Sequence, residues 1–98
     1  MPDRTPADVI DNPDQHRFEL ALDGDDVAVA YYRRDENGRL VLTHTEVPSE
    51  YGGRGFASIL AQGVFEMARA RHQKLVLQCP FMGAWFAKNP NYADVVAG

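Results

Sequence analysis

The stretch VPSEYGGRGFA, Val47 to Ala57, decides the fold, because the hydrophobic period of the chain changes across it. Upstream, apolar residues alternate with polar ones as in strands. Downstream, Phe56, Ile59, Leu60, Val64 and Met67 recur at helical spacing over Arg54 to Arg71. Gly52, Gly53 and Gly55 therefore stand where a strand hands over to a helix. Lacking side chains, they let backbone N–H groups converge on an anion, assisted by the positive end of the helix that follows. A diphosphate cradle is one reading of such a turn, and a tight helix entry is the other. The loop is not a Walker A sequence, since no Gly-Lys-Ser/Thr closes it, nor is it a GxGxxG dinucleotide fingerprint.

Working upstream, Arg39 to Val47 is predicted as a strand, entered from Asp35-Glu36-Asn37-Gly38, whose Asn-Gly pair favours a type I′ hairpin turn. The β-formers of DVAVAYYR, Asp26 to Arg33, predict a second strand. HRFELAL, beginning at His16, alternates Phe18, Leu20 and Leu22 with polar or small neighbours, and Asp23-Gly24-Asp25 supplies the turn between these two. Three such strands make an antiparallel meander. Residues 1 to 15 carry three prolines and several aspartates without periodicity, which predicts a loosely ordered lead-in and a fold that begins near His16.

Downstream, Gly63 marks a close approach on the long helix. Lys74 to Cys79, KLVLQC, reads as a buried strand, and strand, helix, strand implies a right-handed crossover between parallel neighbours. Pro80 ends that strand, Met82 to Lys88 forms a short helix before Asn89-Pro90-Asn91, and Tyr92, Val95 and Val96 make a last turn or short strand. The expected order is β-β-β-α-β-α. The expected class is α+β, with one small domain over residues 16–98.

A chain of 98 residues with 45% hydrophobic residues and a net charge of −4 suits one ordinary domain, as a monomer or weak homodimer. The acidic excess argues against a nucleic-acid partner, which needs clustered Lys and Arg. Cys79 is the single cysteine, so no internal disulfide forms, and His16 and His72 share no ligand spacing with it; no metal is expected. No stretch approaches the ~18 apolar residues of a membrane span and no leader-like apolar region opens the chain, so no membrane partner and a cytoplasmic location are expected.

The run VPSEYGGRGFA after a meander and before an amphipathic helix resembles the acetyl-CoA loop of the GNAT N-acetyltransferase superfamily, Q/R-x-x-G-x-G/A. Gly53 and Gly55 match its glycines, and Glu50 stands where the family often has Gln or Arg. HTEVP, the glycine turn, the helix, CPF, a second helix and NPNYADVV follow in an order similar to the minimal YjdJ-type branch of that superfamily, over residues 16 to 96. The resemblance implies acetyl-CoA as co-substrate, with its diphosphate on the amides of Gly52, Gly53, Arg54, Gly55, Phe56 and Ala57. Its pantetheine arm would enter between two splayed parallel strands and pair with Glu46 and Val47. Asn89 and Tyr92 are further candidates to meet CoA. The acceptor would be an amine on a small molecule or a protein.

Acetyl transfer to an amine needs a neutral nucleophile, stabilisation of developing negative charge, and a proton for the leaving thiolate. His44 and Glu46 share one strand face, and the unperturbed imidazole pKa of ~6.5 suits His44 to accept the proton of an ammonium group. A histidine packed in the sheet is the structural alternative. Cys79, at the end of the neighbouring strand, reads either as an acyl-carrying nucleophile or as a small buried hydrophobe. Tyr92 is a candidate acid. Phe81, Trp85 and Phe86 read more readily as core than as a ligand pocket. Direct attack on the thioester is the expected route. A CoA-binding module without catalysis, or transfer through an acetyl-Cys79 intermediate, are the alternatives.

Overall fold

The computed structural model describes residues 4–97 and contains a five-stranded sheet whose spatial order is the chain order. Its strands are Ile10–Asn12 (β1), Arg17–Ala21 (β2), Val27–Arg34 (β3), Leu40–Glu46 (β4) and Leu75–Leu77 (β5). The first four run antiparallel in sequence, and β4 and β5 pair in parallel. Helix Phe56–Ala70 (α1) makes the crossover, and helix Pro80–Lys88 (α2) follows β5 before a 3-10 stretch, Pro90–Val95. Leu75 also forms a parallel bridge to Val96, so the C-terminal segment lies along the outer edge of β5. The α+β class, the meander and the crossover are all present.

The lead-in differs from expectation. Pro6–Asp8 and Pro13–Gln15 are short 3-10 turns, and between them β1 pairs with β2, Ile10 opposite Glu19 and Asn12 opposite Arg17. Val9 is buried against α1, where a Cβ on Gly63 would stand 2.2 Å from Val9 Cγ2 and 2.6 Å from the Pro6 carbonyl oxygen. Gly63 is thus required by the segment read as loose. Elements of three residues are too short to show a period, and the prolines that suggested disorder start the two turns. Residues 1–3 of that lead-in, and Gly98, lie outside the described residues.

The β3–β4 connection also differs. Gly38 has φ 78° but Asn37 does not share a positive φ, so the turn is not type I′. Asp35 organises it instead, its carboxylate accepting from the N–H groups of Asn37 and Arg39, both at 2.9 Å. The Gly38 N–H donates to the Asp35 carbonyl at 3.1 Å, and the Asp35 N–H to the Arg39 carbonyl at 2.9 Å. An aspartate two residues before Asn-Gly therefore selects a longer turn with a left-handed glycine.

Alternation places Phe18 and Leu20 of β2, Ala28, Ala30 and Tyr32 of β3, and Leu40 and Leu42 of β4 on one face. Onto it pack Leu60, Ala61, Val64, Phe65 and Ala68 of α1 and Met82 of α2. Leu60 and Phe65 are fully buried, each worth roughly 1.5–3 kcal/mol. The small Ala28 and Ala30 let α1 approach the sheet. The Phe65 ring meets Trp85 at 5.1 Å and Tyr92 at 5.5 Å, joining α1, α2 and the 3-10 stretch. These aromatics therefore pack as core. Val29 and Val41 are buried on the opposite face and stand outside this cluster, so both helices lie on the same side of the sheet. At its far end, α1 closes on His72 in the left-handed region (φ 54°), with the Gln73 N–H reaching back to the Ala68 carbonyl at 2.8 Å.

Candidate functional site

The handover loop is anchored from inside and open outside. After Pro48, Ser49–Tyr51 forms a 3-10 turn closed by the Gly52 N–H on the Ser49 carbonyl at 3.0 Å. The buried Tyr51 ring meets Phe56 edge-on at 5.7 Å, and its hydroxyl donates to Asp26 Oδ2 at 3.0 Å, tying the loop to the β2–β3 turn. Burial, then the Asp26 carboxylate, raises the Tyr51 phenol above its usual pKa. Phe56 belongs to the core, so only its main chain is left to serve the loop. The Arg54 guanidinium lies over the Tyr51 and Phe56 rings at 5.3 and 5.5 Å.

Gly53 (φ 76°) and Gly55 (φ 84°) both occupy the left-handed region, and Gly55 is the residue on which α1 starts. No side chain among the described residues caps that helix. The first helical bond runs from the Ile59 N–H to the Gly55 carbonyl, which leaves the amides of Phe56, Ala57 and Ser58 without a partner inside the helix. Among the described residues, a Cβ built on Gly53 or Gly55 meets no atom within 4 Å, so none of them fills the space before the loop. Free amides, a helix N-terminus and an open front suit a diphosphate.

Beside this loop the sheet opens. The β4–β5 register runs from Leu40↔Leu75 to Leu42↔Leu77, and the Leu42 carbonyl then accepts from both the Gln78 and Cys79 N–H groups, at 3.1 and 2.8 Å. Beyond this point β4 continues to Glu46 with β3 on one edge only. A β-bulge separates Tyr31↔His44 from Tyr32↔Leu42, so Thr43 is an extra residue in β4. The bulge shifts the phase of the strand. Tyr32 donates its N–H toward β2, to the His16 carbonyl at 2.9 Å, so by alternation Ala30 also faces β2. The partner of Ala30 is Thr45, whose main chain therefore turns to the open edge, and Val47 repeats that orientation two residues on. Glu46, opposite Val29, turns its main chain to β3 instead. Thr45 is the gap-facing residue that sequence reasoning missed, because nothing in THTEV announces the extra residue.

The structure separates the two candidates for chemistry. His44 and Glu46 lie on the helix-free face, with Nε2 2.9 Å from Oε2 and side chains 59% and 60% exposed. Cys79 is buried on the other side, at the N-terminus of α2, with Sγ 3.3 Å from Thr45 Oγ1. His44 and Cys79 are thus not brought together: the sheet stands between them.

Asn89 and Tyr92 lie away from the loop. The Tyr92 hydroxyl donates to Glu66, ten residues along α1 from Phe56, about 15 Å at the helical rise. Burial first, and then Glu66, raise the Tyr92 phenol, making it a weaker acid. Asn89 donates to the Trp85 carbonyl at 2.8 Å beyond the end of α2. Among the described residues, no three His, Cys, Asp or Glu side chains gather closely enough to hold a metal ion. Among the described residues, no helix is long and apolar enough to cross a membrane.

Comparison with known proteins agrees with this layout. Residues 17–95 match the sequence model of a family described as GCN5-related N-acetyl-transferase. Protein NATD1 of Gallus gallus is 31% identical over 86 residues, which cover 87% of this chain and 78% of that protein. NATD1 of Mus musculus is 32% identical over 77 residues, covering 78% and 70%. The NMR solution structure of a GCN5-like protein from Staphylococcus aureus superposes with a TM-score of 0.69 at 28% identity, covering 95% of this chain and 90% of that one. With the meander, the glycine loop at the start of α1 and the parting of β4 from β5 in place, the chain belongs to the GCN5-related N-acetyltransferase family.

Proposed function

We propose that this protein binds acetyl-CoA at the end of the sheet where β4 and β5 part, and transfers its acetyl group to an amine by direct attack. One observation carries the reading. The glycine loop, with its uncapped helix start and open front, lies beside a strand edge that has lost its partner. The amides of Gly53 to Ala57 hold the diphosphate, the expected Gly52 amide being committed to the Ser49 carbonyl, and the main chain of Thr45 and Val47 pairs with the pantetheine arm as an added strand does. Acetyl-CoA supplies the acetyl group already activated as a thioester. The Val47 N–H, which makes no backbone hydrogen bond among the described residues, is placed to stabilise developing negative charge. His44, oriented by Glu46, takes the proton from the acceptor on the helix-free face, and the departing CoA thiolate takes its proton from solvent at the open gap.

The acceptor is an amine on a small molecule or a protein. The buried free thiol of Cys79 suits a reducing, cytoplasm-like compartment. A second reading, a CoA-binding module without turnover, draws on the short β2–β3 connection and the exposure of His44, which leave the acceptor side uncovered.

Incubation with acetyl-CoA and a panel of polyamines, amino sugars and lysine peptides, following free CoA thiol, tests the proposal. Release that depends on an amine and falls about a hundredfold in His44→Ala supports transfer through this site. Micromolar CoA binding without release for any amine supports the binding module. Absence of CoA binding contradicts both.

A further inference from the structure

On the helix-free face, four residues from four consecutive strands stand directly opposite one another. Asn12 of β1 faces Arg17 of β2, Arg17 faces Tyr31 of β3, and Tyr31 faces His44 of β4. Their side chains form a continuous chain of contacts. Asn12 Nδ2 and Arg17 Nε both donate to Glu19 Oε2, at 2.9 and 2.6 Å. Arg17 Nη1 donates to the Tyr31 hydroxyl at 3.3 Å, and its guanidinium carbon lies 5.8 Å from the Tyr31 ring centroid. The Tyr31 and His44 rings lie near parallel, at 14°, with centroids 6.3 Å apart. His44 Nε2 then meets Glu46 Oε2 at 2.9 Å.

The chain is firm at one end and open at the other. The side chains of Arg17 and Glu19 are 25% and 13% exposed, low for charged residues on a face without helices, whereas His44 and Glu46 are 59% and 60% exposed. Glu19 is held below the usual carboxylate range by its hydrogen bond to Arg17 in the first place. The clamp therefore stays charged and closed at neutral pH. The open end is the segment of β4 that has lost β5.

We infer that Tyr31 and Arg17 are positioning residues for His44: the clamped guanidinium fixes the tyrosine ring, and that ring with Glu46 confines the imidazole to one orientation beside the gap. The inference rests on the reading in which His44 takes the acceptor proton, and it gives a function to contacts that this reading leaves unused. An exposed histidine on a strand otherwise samples several rotamers, most of which point its nitrogens away from an incoming amine. Packing of nearly parallel rings removes that freedom without covering the imidazole.

The test has two independent readouts. In the ligand-free protein, NMR of the His44 ring reports its mobility and the tautomer set by Glu46; Tyr31→Leu and Arg17→Met should both raise the mobility, while Tyr31→Phe, which keeps the ring, should change it less. In steady-state assays Tyr31→Leu should lower kcat about tenfold with KM for acetyl-CoA unchanged, and should have no further effect in a His44→Ala background. Arg17→Met guards against a Tyr31→Leu protein that fails to fold. An imidazole equally ordered in native protein and in both variants overturns the positioning itself. A loss from Tyr31→Leu that persists in full in His44→Ala overturns the link to His44. A His44→Ala enzyme with the native rate overturns the underlying proton-transfer reading, an outcome that the ring-mobility result distinguishes from failure of the clamp.

Discussion

Thr45 Oγ1 lies 3.3 Å from Cys79 Sγ, on the helix side of the sheet, just past the point where β4 and β5 cease to pair. The contact spans two strands whose backbones no longer meet, so it is a side-chain tie across an opening gap. It also gives the buried thiol a neutral neighbour. Among the described residues, no histidine or lysine is hydrogen-bonded to it.

Cys79→Ala should therefore leave acetyl transfer within about twofold of native while lowering stability by about 1 kcal/mol, the cost of a small buried group. Urea unfolding measures the second quantity. Intact mass after incubation with acetyl-CoA alone should show no acetyl adduct; an adduct that disappears in Cys79→Ala would instead establish the acyl-cysteine route.

At Gly53 the positive φ separates two effects of substitution. Valine there adopts a strained backbone costing about 1–3 kcal/mol, whatever the free space around its side chain. Asparagine tolerates the left-handed region, so Gly53→Asn should unfold close to native. Both should weaken CoA binding, by crowding the phosphate. Calorimetric titration alongside urea unfolding checks this, and a Gly53→Asn protein with native CoA affinity would remove the loop from the site.

Tyr32 supplies a pH dependence. Its phenol is pushed up to about 12, first by burial and then by Asp11, to which it donates at 2.7 Å. In the unfolded chain a tyrosine titrates near ~10. The raised folded value means that this stabilisation is complete below about pH 10 and is lost as pH rises from about 10 toward 12. Thermal unfolding between pH 8 and 11 should show a decline that Tyr32→Phe makes shallower, with the variant about 1 kcal/mol less stable at pH 8. Equal slopes would show that Tyr32 is not the group responsible.

The sequence made the large features legible because each has its own period or punctuation. The three long strands alternate, α1 repeats at helical spacing, and glycines mark their junction. The missed features leave no such trace. The bulge at Thr43 adds one residue to a strand whose composition is ordinary, and it alone transfers the gap-facing main chain from Glu46 to Thr45. Asp35 overrides Asn37-Gly38 through side-chain bonds that no pairwise turn preference contains. His44 and Cys79 read as neighbours in a flat projection of adjacent strands, but the sheet has two faces and they occupy different ones. Tyr92 sits in a motif that looks like a ligand contact, yet Phe65 and Glu66 claim its ring and its hydroxyl.

The central claim is that acetyl-CoA spans the glycine loop and the free edge of β4. Titration of uniformly labelled protein with CoA, followed through backbone amide NMR shifts, tests it most directly. The largest shifts are expected at Thr45, Val47 and Gly52 through Ala57, with Asn89 and Tyr92 little moved. Shifts concentrated at Asn89, Tyr92 and the end of α1, with the glycine loop unchanged, would contradict it.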